Sequence, residues 1–199
     1  MRILAFSDLH RRLSLIPSLK EKARRAEVVI GAGDFSDFGR GLDEVFKGLS
    51  GISEAFFVIP GNNETPVMIE KCCRAHGCKN IHGSRVSYAG YALAGIGGST
   101  PTPFNTPFEL TEDEIERILK GFEGEGDLIL VAHMPPYGTK LDSLSSGVHV
   151  GSRVLRSFIE SERPLLVICG HVHERGGEED VIGDTRIVNP GPKGIILEV

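Results

Sequence analysis

Residues 2–10 read "RILAFSDLH": a short apolar run, a serine, and then an acid and an imidazole two positions apart. A run this short and this apolar reads as a strand buried on both faces, as in the sheets of α/β proteins. The same form recurs in "EVVI" (27–30), "AFFVI" (55–59), "DLILVA" (127–132) and "PLLVIC" (164–169). Between these runs the period becomes helical. Leu42, Val45, Phe46 and Leu49 stand at i, i+3, i+4 and i+7, and so do Ile69, Cys72, Cys73 and His76 behind a Thr65-Pro66 start. Ile115, Ile118, Leu119 and Phe122 repeat the pattern behind Thr111, and Glu114 completes a capping box. Each segment is expected to cover a sheet with its apolar face.

Two regions carry strand-like runs around turn residues. They are "VSYAGYALAGIGG" (86–98), where Ala89-Gly90 turns a hairpin, and "TRIVNPGPKGIILEV" (185–199). Both predict further antiparallel strands, so a mixed sheet or two stacked sheets is expected in place of a simple doubly wound one. No repeat or linker divides the chain, and residues 1–199 are expected to form a single domain. The longest stretch without a pattern is 133–150, a length of loop that commonly serves function.

The chain is 40% hydrophobic and 25% charged, an ordinary globular balance. Its net charge of −5 argues against a general nucleic-acid surface, which would show a basic stripe; only a local basic patch would serve such a partner. No apolar run approaches the ~18 residues of a membrane span, and "MRILAFSDLH" lacks a signal-peptide cleavage pattern. A cytoplasmic protein with no membrane partner is expected, and no feature sets an oligomeric state. Cys72, Cys73, Cys78 and Cys169 form no CxxC pair and no zinc-knuckle spacing, so free, partly buried thiols are expected.

The chemistry collects where the apolar runs end. They are followed in turn by Ser7-Asp8-Leu9-His10, Gly31-Ala32-Gly33-Asp34, Gly61-Asn62-Asn63, His133 and Gly170-His171-Val172-His173. Sites in α/β proteins form outside the carboxyl ends of the strands, so these segments would bring their side chains to one edge. Asp8 and His10, like His171 and His173, lie two apart and on an extended segment would point to the same side. Imidazole and carboxylate suit zinc, manganese, iron or nickel, and seven donors exceed the need of one tetrahedral ion. Two ions sharing a carboxylate would use them all.

In this order, Asp8-x-His10, Gly33-Asp34, Gly61-Asn62, His133 and Gly170-His171-x-His173 resemble the motifs of the calcineurin-like metallophosphoesterase superfamily. The resemblance runs from residue 8 to residue 173. The short chain, with its "PGN" and "GHVHE" contexts, is similar to the compact prokaryotic phosphodiesterase branch. The resemblance implies an α/β fold, a β-sandwich of two mixed sheets flanked by α-helices. It implies that Asp8, His10, Asp34 and His173 hold one ion, and that Asn62, His133 and His171 hold the other with Asp34 as the bridge. The implied cofactors are two divalent ions, manganese favoured over iron, nickel or zinc. The implied reaction is hydrolysis of a phosphate ester, a phosphodiester first, in a small molecule or nucleotide. Two ions about 3.5–4 Å apart would clamp the phosphoryl oxygens, acidify a bridging water and orient its in-line attack. Phosphomonoester, phosphoprotein or nucleic-acid hydrolysis are the alternatives. A non-catalytic scaffold is less favoured, because none of the seven donors is missing.

The chain departs from the pattern where many relatives read Gly-Asn-His and this sequence has Asn63. An amide donates a hydrogen bond but gives up no proton near pH 7, so Asn63 either binds a substrate oxygen or serves the turn. His149, in "GVHVGS", is the candidate substitute acid, or else a loop-packing histidine; His76 and His82 read as structural. Arg11 and Arg12 are either phosphate clamps or solvated charges. In "TPTPFNTPFE" (100–109), Phe104, Asn105 and Phe108 either wall the site or pack on the body.

Overall fold

Side-chain alternation along β1 (Arg2–Phe6) sorts the molecule into layers. In the computed structural model, which describes residues 1–199, Ile3 and Ala5 join one apolar cluster while Leu4 and Phe6 join another. β1 pairs in parallel with β2 (Val28–Gly31), β2 with β3 (Phe56–Val58) and β3 with the short β4 (Lys79–Asn80). The C-terminal strand β11 (Ile195–Glu198) closes this sheet antiparallel to β1. The second sheet has the order β5 (Ser84–Tyr88), β6 (Tyr91–Ile96), β7 (Leu128–Ala132), β8 (Leu166–Ile168), β10 (Thr185–Val188), β9 (Glu179–Ile182). Its four middle strands are parallel and its two edge strands antiparallel.

The two sheets face each other across a core built from alternate residues: Ile3, Val28, Ile30 and Ile59 on one side, Leu93, Ile129, Val131 and Ile168 on the other. Outside the first sheet lie α1 (Ile16–Ala23), α2 (Leu42–Leu49) and α3 (Pro66–His76), which bury Leu19, Phe46 and Ile69 against Leu4, Phe6 and Val58. Outside the second lie α4 (Glu112–Leu119) and α5 (Arg153–Glu162), which bury Ile115, Leu119, Leu155 and Ile159 against Leu128, Leu130 and Val167. The fold is therefore a sandwich of two mixed sheets flanked by helices.

The helix starts follow side-chain capping. Thr65 accepts from Met68 N, Ser152 accepts from Leu155 N, and Thr111 and Glu114 cap each other's backbone amides. Ala89 and Gly90, with φ of 50° and 89°, turn the hairpin between β5 and β6. The C-terminal region forms the expected antiparallel pairs, β10 with β9 and β11 with β1, with two additions. β10 runs parallel to β8 in one sheet, and β11 crosses to the other sheet. No helix is long and apolar enough to cross a membrane.

One expectation is corrected. Cys73 and Cys78 are joined in a disulfide, whereas Cys72 and Cys169 are free and buried. The reason is local. Gly77 takes a left-handed conformation at the end of α3, and the amides of Gly77 and Cys78 both return to the Cys73 carbonyl. That turn folds Cys78 back to a Cα separation of 4.5 Å, which lies within disulfide reach.

Candidate metal centre

Parallel strands of both sheets end at the same side of the sandwich, and the segments leaving β1, β2, β3, β7 and β8 meet there. They do not leave as extended chain. Asp8, His10, Asp34 and His171 have φ of 56°, 42°, 55° and 69°, a region that costs a non-glycine residue roughly 1–2 kcal/mol. The sharp left-handed exits turn these side chains together, in place of the strand alternation that the spacing suggested. Cross-loop bonds hold the bends: Asp8 N donates to Gly33 O and His10 N to Asp34 O, each at 3.0 Å. Glycine is required where the loops touch. A Cβ on Gly61 would overlap the Asp34 carboxylate, and one on Gly170 would stand 2.8 Å from Asp8 Oδ2.

Asp8, His10, Asp34 and His173 bring one candidate ligand atom each to within 4.8 Å of one another. His10 Nε2 lies 2.9 Å from His173 Nε2 and 3.4 Å from Asp34 Oδ2, and His173 Nε2 lies 3.6 Å from Asp8 Oδ1. A second group forms on the other side of Asp34. His133 Nε2 lies 3.6 Å from Asp34 Oδ1 and 3.1 Å from Asn62 Oδ1, which is also 2.9 Å from His171 Nδ1. Asp34 thus turns one oxygen to each group.

Proton accounting favours a cation between these atoms. His133 Nδ1 sits 2.8 Å from the Ala32 carbonyl, and His10 Nδ1 sits 3.1 Å from both the Ser36 carbonyl and Asp37 Oδ1. All three partners only accept, so in the neutral rings Nδ1 holds the hydrogen and Nε2 presents a lone pair inward. In the neutral His133 ring the Nε2 lone pair then faces Asn62 Oδ1 at 3.1 Å, with Asp34 Oδ1 at 3.6 Å from the same nitrogen. Asp8, 1% exposed, has an Oδ2 with no hydrogen-bond partner at all. Divalent ions would satisfy every one of these atoms, and the nitrogen and oxygen donors suit manganese, iron, nickel or zinc.

The electrostatics agree. Burial alone pushes the Asp34 carboxyl up, but His133 and then His10 hold it below the usual carboxylate range. Burial likewise pushes His133 down, yet the Asp34 charge carries it to about 9. A cation held by these donors would take the place of that proton. Burial, followed by the neighbouring His133, lowers His171 to about 3 and leaves it neutral for ligation.

A sequence profile of the calcineurin-like phosphoesterases matches residues 1–175. The chain belongs to this family. Calcineurin-like phosphoesterases are hydrolases of phosphate esters. This phosphoesterase is 37% identical to the uncharacterised protein MJ1162 of Methanocaldococcus jannaschii over 99% of its own chain and 91% of that protein. Its fold is similar to that of TT1561 of Thermus thermophilus, with a TM-score of 0.74 and 20% identity over 96% of this chain and 88% of that one. It is also similar to phosphopantetheinyl hydrolase of Mycobacterium tuberculosis, with a TM-score of 0.68 and 12% identity over 96% and 90% of the two chains.

The phosphoesterase places the remaining candidates differently. Asn63 lines the cavity over the metal centre, but its amide is engaged by the protein: Nδ2 donates to Asp34 Oδ2 at 2.7 Å and Oδ1 accepts from Phe38 N at 3.0 Å. His149 is not brought to the centre. Its Nδ1 lies 2.7 Å from the buried Asp142, and only its neighbour Val150 reaches the cavity. The reason is alternation along an extended stretch, which turns His149 away when Val150 points in. Arg12 binds the carbonyls of Leu9 and Asp8, and Arg11 packs beside Gly41, so neither lines the cavity. Phe104 lines it; Phe108 packs edge-on against His82.

Three supporting residues escaped the sequence reading. Glu64, fully buried, accepts from Ser36 N at 2.6 Å, Ser36 Oγ at 2.7 Å and Gly61 N at 3.1 Å, tying the loop of Asp34 to that of Asn62. Asp37 supports His10. Asn189, also buried, donates to the carbonyls of Gly170 and Val172 and so shapes the turn that carries His171 and His173. Glu64 and Asn189 carried a signal in retrospect, since each stands beside a Pro-Gly or Asn-Asn turn at a strand end.

Proposed function

We propose that this chain is a phosphodiesterase working with two divalent ions, manganese first among them. Asp8, His10, Asp34 and His173 would hold one ion, and Asn62, His133, His171 and the shared Asp34 the other. When bound, such a pair supplies Lewis acidity toward the phosphoryl oxygens and toward a nucleophilic water. The protein contributes the frame. Asn63 orients both oxygens of Asp34, the Ala32 and Ser36 carbonyls fix the His133 and His10 tautomers, and Glu64 sets the spacing of the two loops.

The observation that carries the diester reading is the lining of the 680 Å³ cavity over the centre. It contains no lysine or arginine, and it does contain the carboxylates Asp37 and Glu174. A phosphomonoester is largely a dianion at pH 7, with a second pKa near 6, and would need basic side chains to match its charge. A diester is a monoanion, which the ions alone can hold against those carboxylates. Nucleic acid, a polyanion, is disfavoured by the same lining and by the net charge of −5.

The test is a pair of assays on manganese-reconstituted protein, with bis-p-nitrophenyl phosphate and p-nitrophenyl phosphate as substrates and metal content read by mass spectrometry. The proposal expects about two metal equivalents and a kcat/KM at least tenfold higher for the diester. A higher value for the monoester would overturn it.

A further inference from the structure

We infer that one arm of the diester is a flat, uncharged aromatic group, held by Phe38 and Phe104. The inference rests on the diester reading and extends it from the phosphorus to what the phosphorus carries. Both phenylalanines line the cavity, yet both are set out into solvent, 55% and 74% exposed. They come from different layers. Phe38 follows β2 of the first sheet, and Phe104 follows β6 of the second.

Neither is exposed by accident of a loose loop. Phe38 and Gly39 form the tip of a two-residue turn closed by hydrogen bonds between Asp37 and Arg40, with φ of 51° and 79°. Turns of that form favour Asn, Asp or Gly at their first tip position, and a bulky residue there is strained. The turn is fastened at three points: Asp37 to the candidate ligand His10, Phe38 N to Asn63 Oδ1, whose amide holds Asp34, and Gly39 N to the neighbouring Ser36 Oγ. A ring is thus kept in an unfavourable conformation, without burial, and locked to the ligand frame.

The Phe104 loop is equally fixed. Glu109 Oε1 gathers Thr102 Oγ1 at 2.6 Å, Thr106 Oγ1 at 2.6 Å and Thr106 N at 2.9 Å, closing the segment into a compact loop. Phe104 N returns to Thr102 Oγ1, and Asn105 turns the chain with φ of 49°. The bonds are spent inside the loop, and its ring is left outside. Two rigidly presented rings and no basic side chain in the lining fit an uncharged aromatic partner. Stacking of one ring on another is worth roughly a five- to hundredfold gain in binding.

The test compares p-nitrophenyl diesters that share a leaving group and differ in the other arm: ethyl, phenyl, and the p-nitrophenyl ester of thymidine monophosphate. On manganese-reconstituted protein the aromatic arms are expected to exceed the ethyl arm about tenfold in kcat/KM, chiefly through KM. That ratio should fall to within about twofold in Phe104→Ala and in Phe38→Asn, the second of which favours the turn while removing the ring. A thymidine arm that outperforms phenyl identifies a nucleoside source, and the reverse identifies a simple aryl. Equal turnover of ethyl and aromatic arms, or a ratio unchanged in both variants, overturns the inference. Should p-nitrophenyl phosphate be turned over and no diester, the diester reading fails, and calorimetric binding of phenyl and ethyl methylphosphonate decides the aromatic arm separately. A fivefold preference for phenyl that is lost in Phe104→Ala sustains it; equal binding removes it.

Discussion

Asn63 holds Asp34 by two hydrogen bonds, its backbone N to Oδ1 at 2.9 Å and its side-chain Nδ2 to Oδ2 at 2.7 Å. Each oxygen of Asp34 faces a different group of donors, so this amide fixes the one carboxylate both groups share. Asn63→Ala is expected to lower kcat and the affinity for metal about 10- to 100-fold, the usual cost of losing a partner of a metal ligand. Metal titration with separate determination of KM checks this. An unchanged metal affinity would return Asn63 to a plain turn residue.

Glu64 is the second support. Glu64→Ala leaves the buried Ser36 and Gly61 amides without an acceptor, each costing about 1–3 kcal/mol. Thermal unfolding of the metal-free protein should therefore fall by several degrees, with Glu64→Gln, which keeps an acceptor, intermediate. Equal melting of Ala and Gln variants would contradict this account.

His82 predicts a pH dependence of stability away from the metal centre. Burial lowers its pKa to about 4, against about 6.5 in the unfolded chain. Its Nδ1 accepts from Gly97 N at 2.9 Å, so protonation would also place a hydrogen against a donor. Between pH 6.5 and 4 the unfolded state binds the extra proton. The contribution is thus complete above pH 6.5 and is lost as pH falls toward 4, by up to about 3 kcal/mol. Denaturant midpoints of the protein and of His82→Gln, compared at pH 7.5 and 4.5, should show a smaller drop in the variant.

Chelation should destabilise the protein because it leaves a buried carboxylate oxygen unsatisfied and removes the binding free energy of the cation. The buried Asp8 Oδ2 has no partner. With metal at a hundredfold excess over its Kd, binding stabilises by about 2.7 kcal/mol per site. Melting in EDTA should fall by several degrees and recover on adding manganese, and Asp34→Asn should blunt the recovery.

The sequence by itself determined the layers and the donors. Continuous apolar runs such as "RILAF" specify strands buried on both faces, because one face meets the facing sheet and the other the helices. Capping residues at Thr65 and Thr111 set helix starts because their partners lie only three residues away. Donors at five strand ends were visible because parallel strands must deliver their ends to one edge. What the tertiary structure decided depends on contacts between segments distant in sequence. Asn63 reaches Asp34 across 29 residues, Asn189 reaches Gly170 across 19, and the Cys73–Cys78 bond needs the left-handed turn at Gly77. His149 and Val150 are neighbours in sequence, yet only Val150 lines the cavity. Residue type and spacing fix what a segment offers. Which offered atom is used is set by the direction of the backbone as it leaves the strand, and that direction is settled only when the loops of the two sheets close on one another.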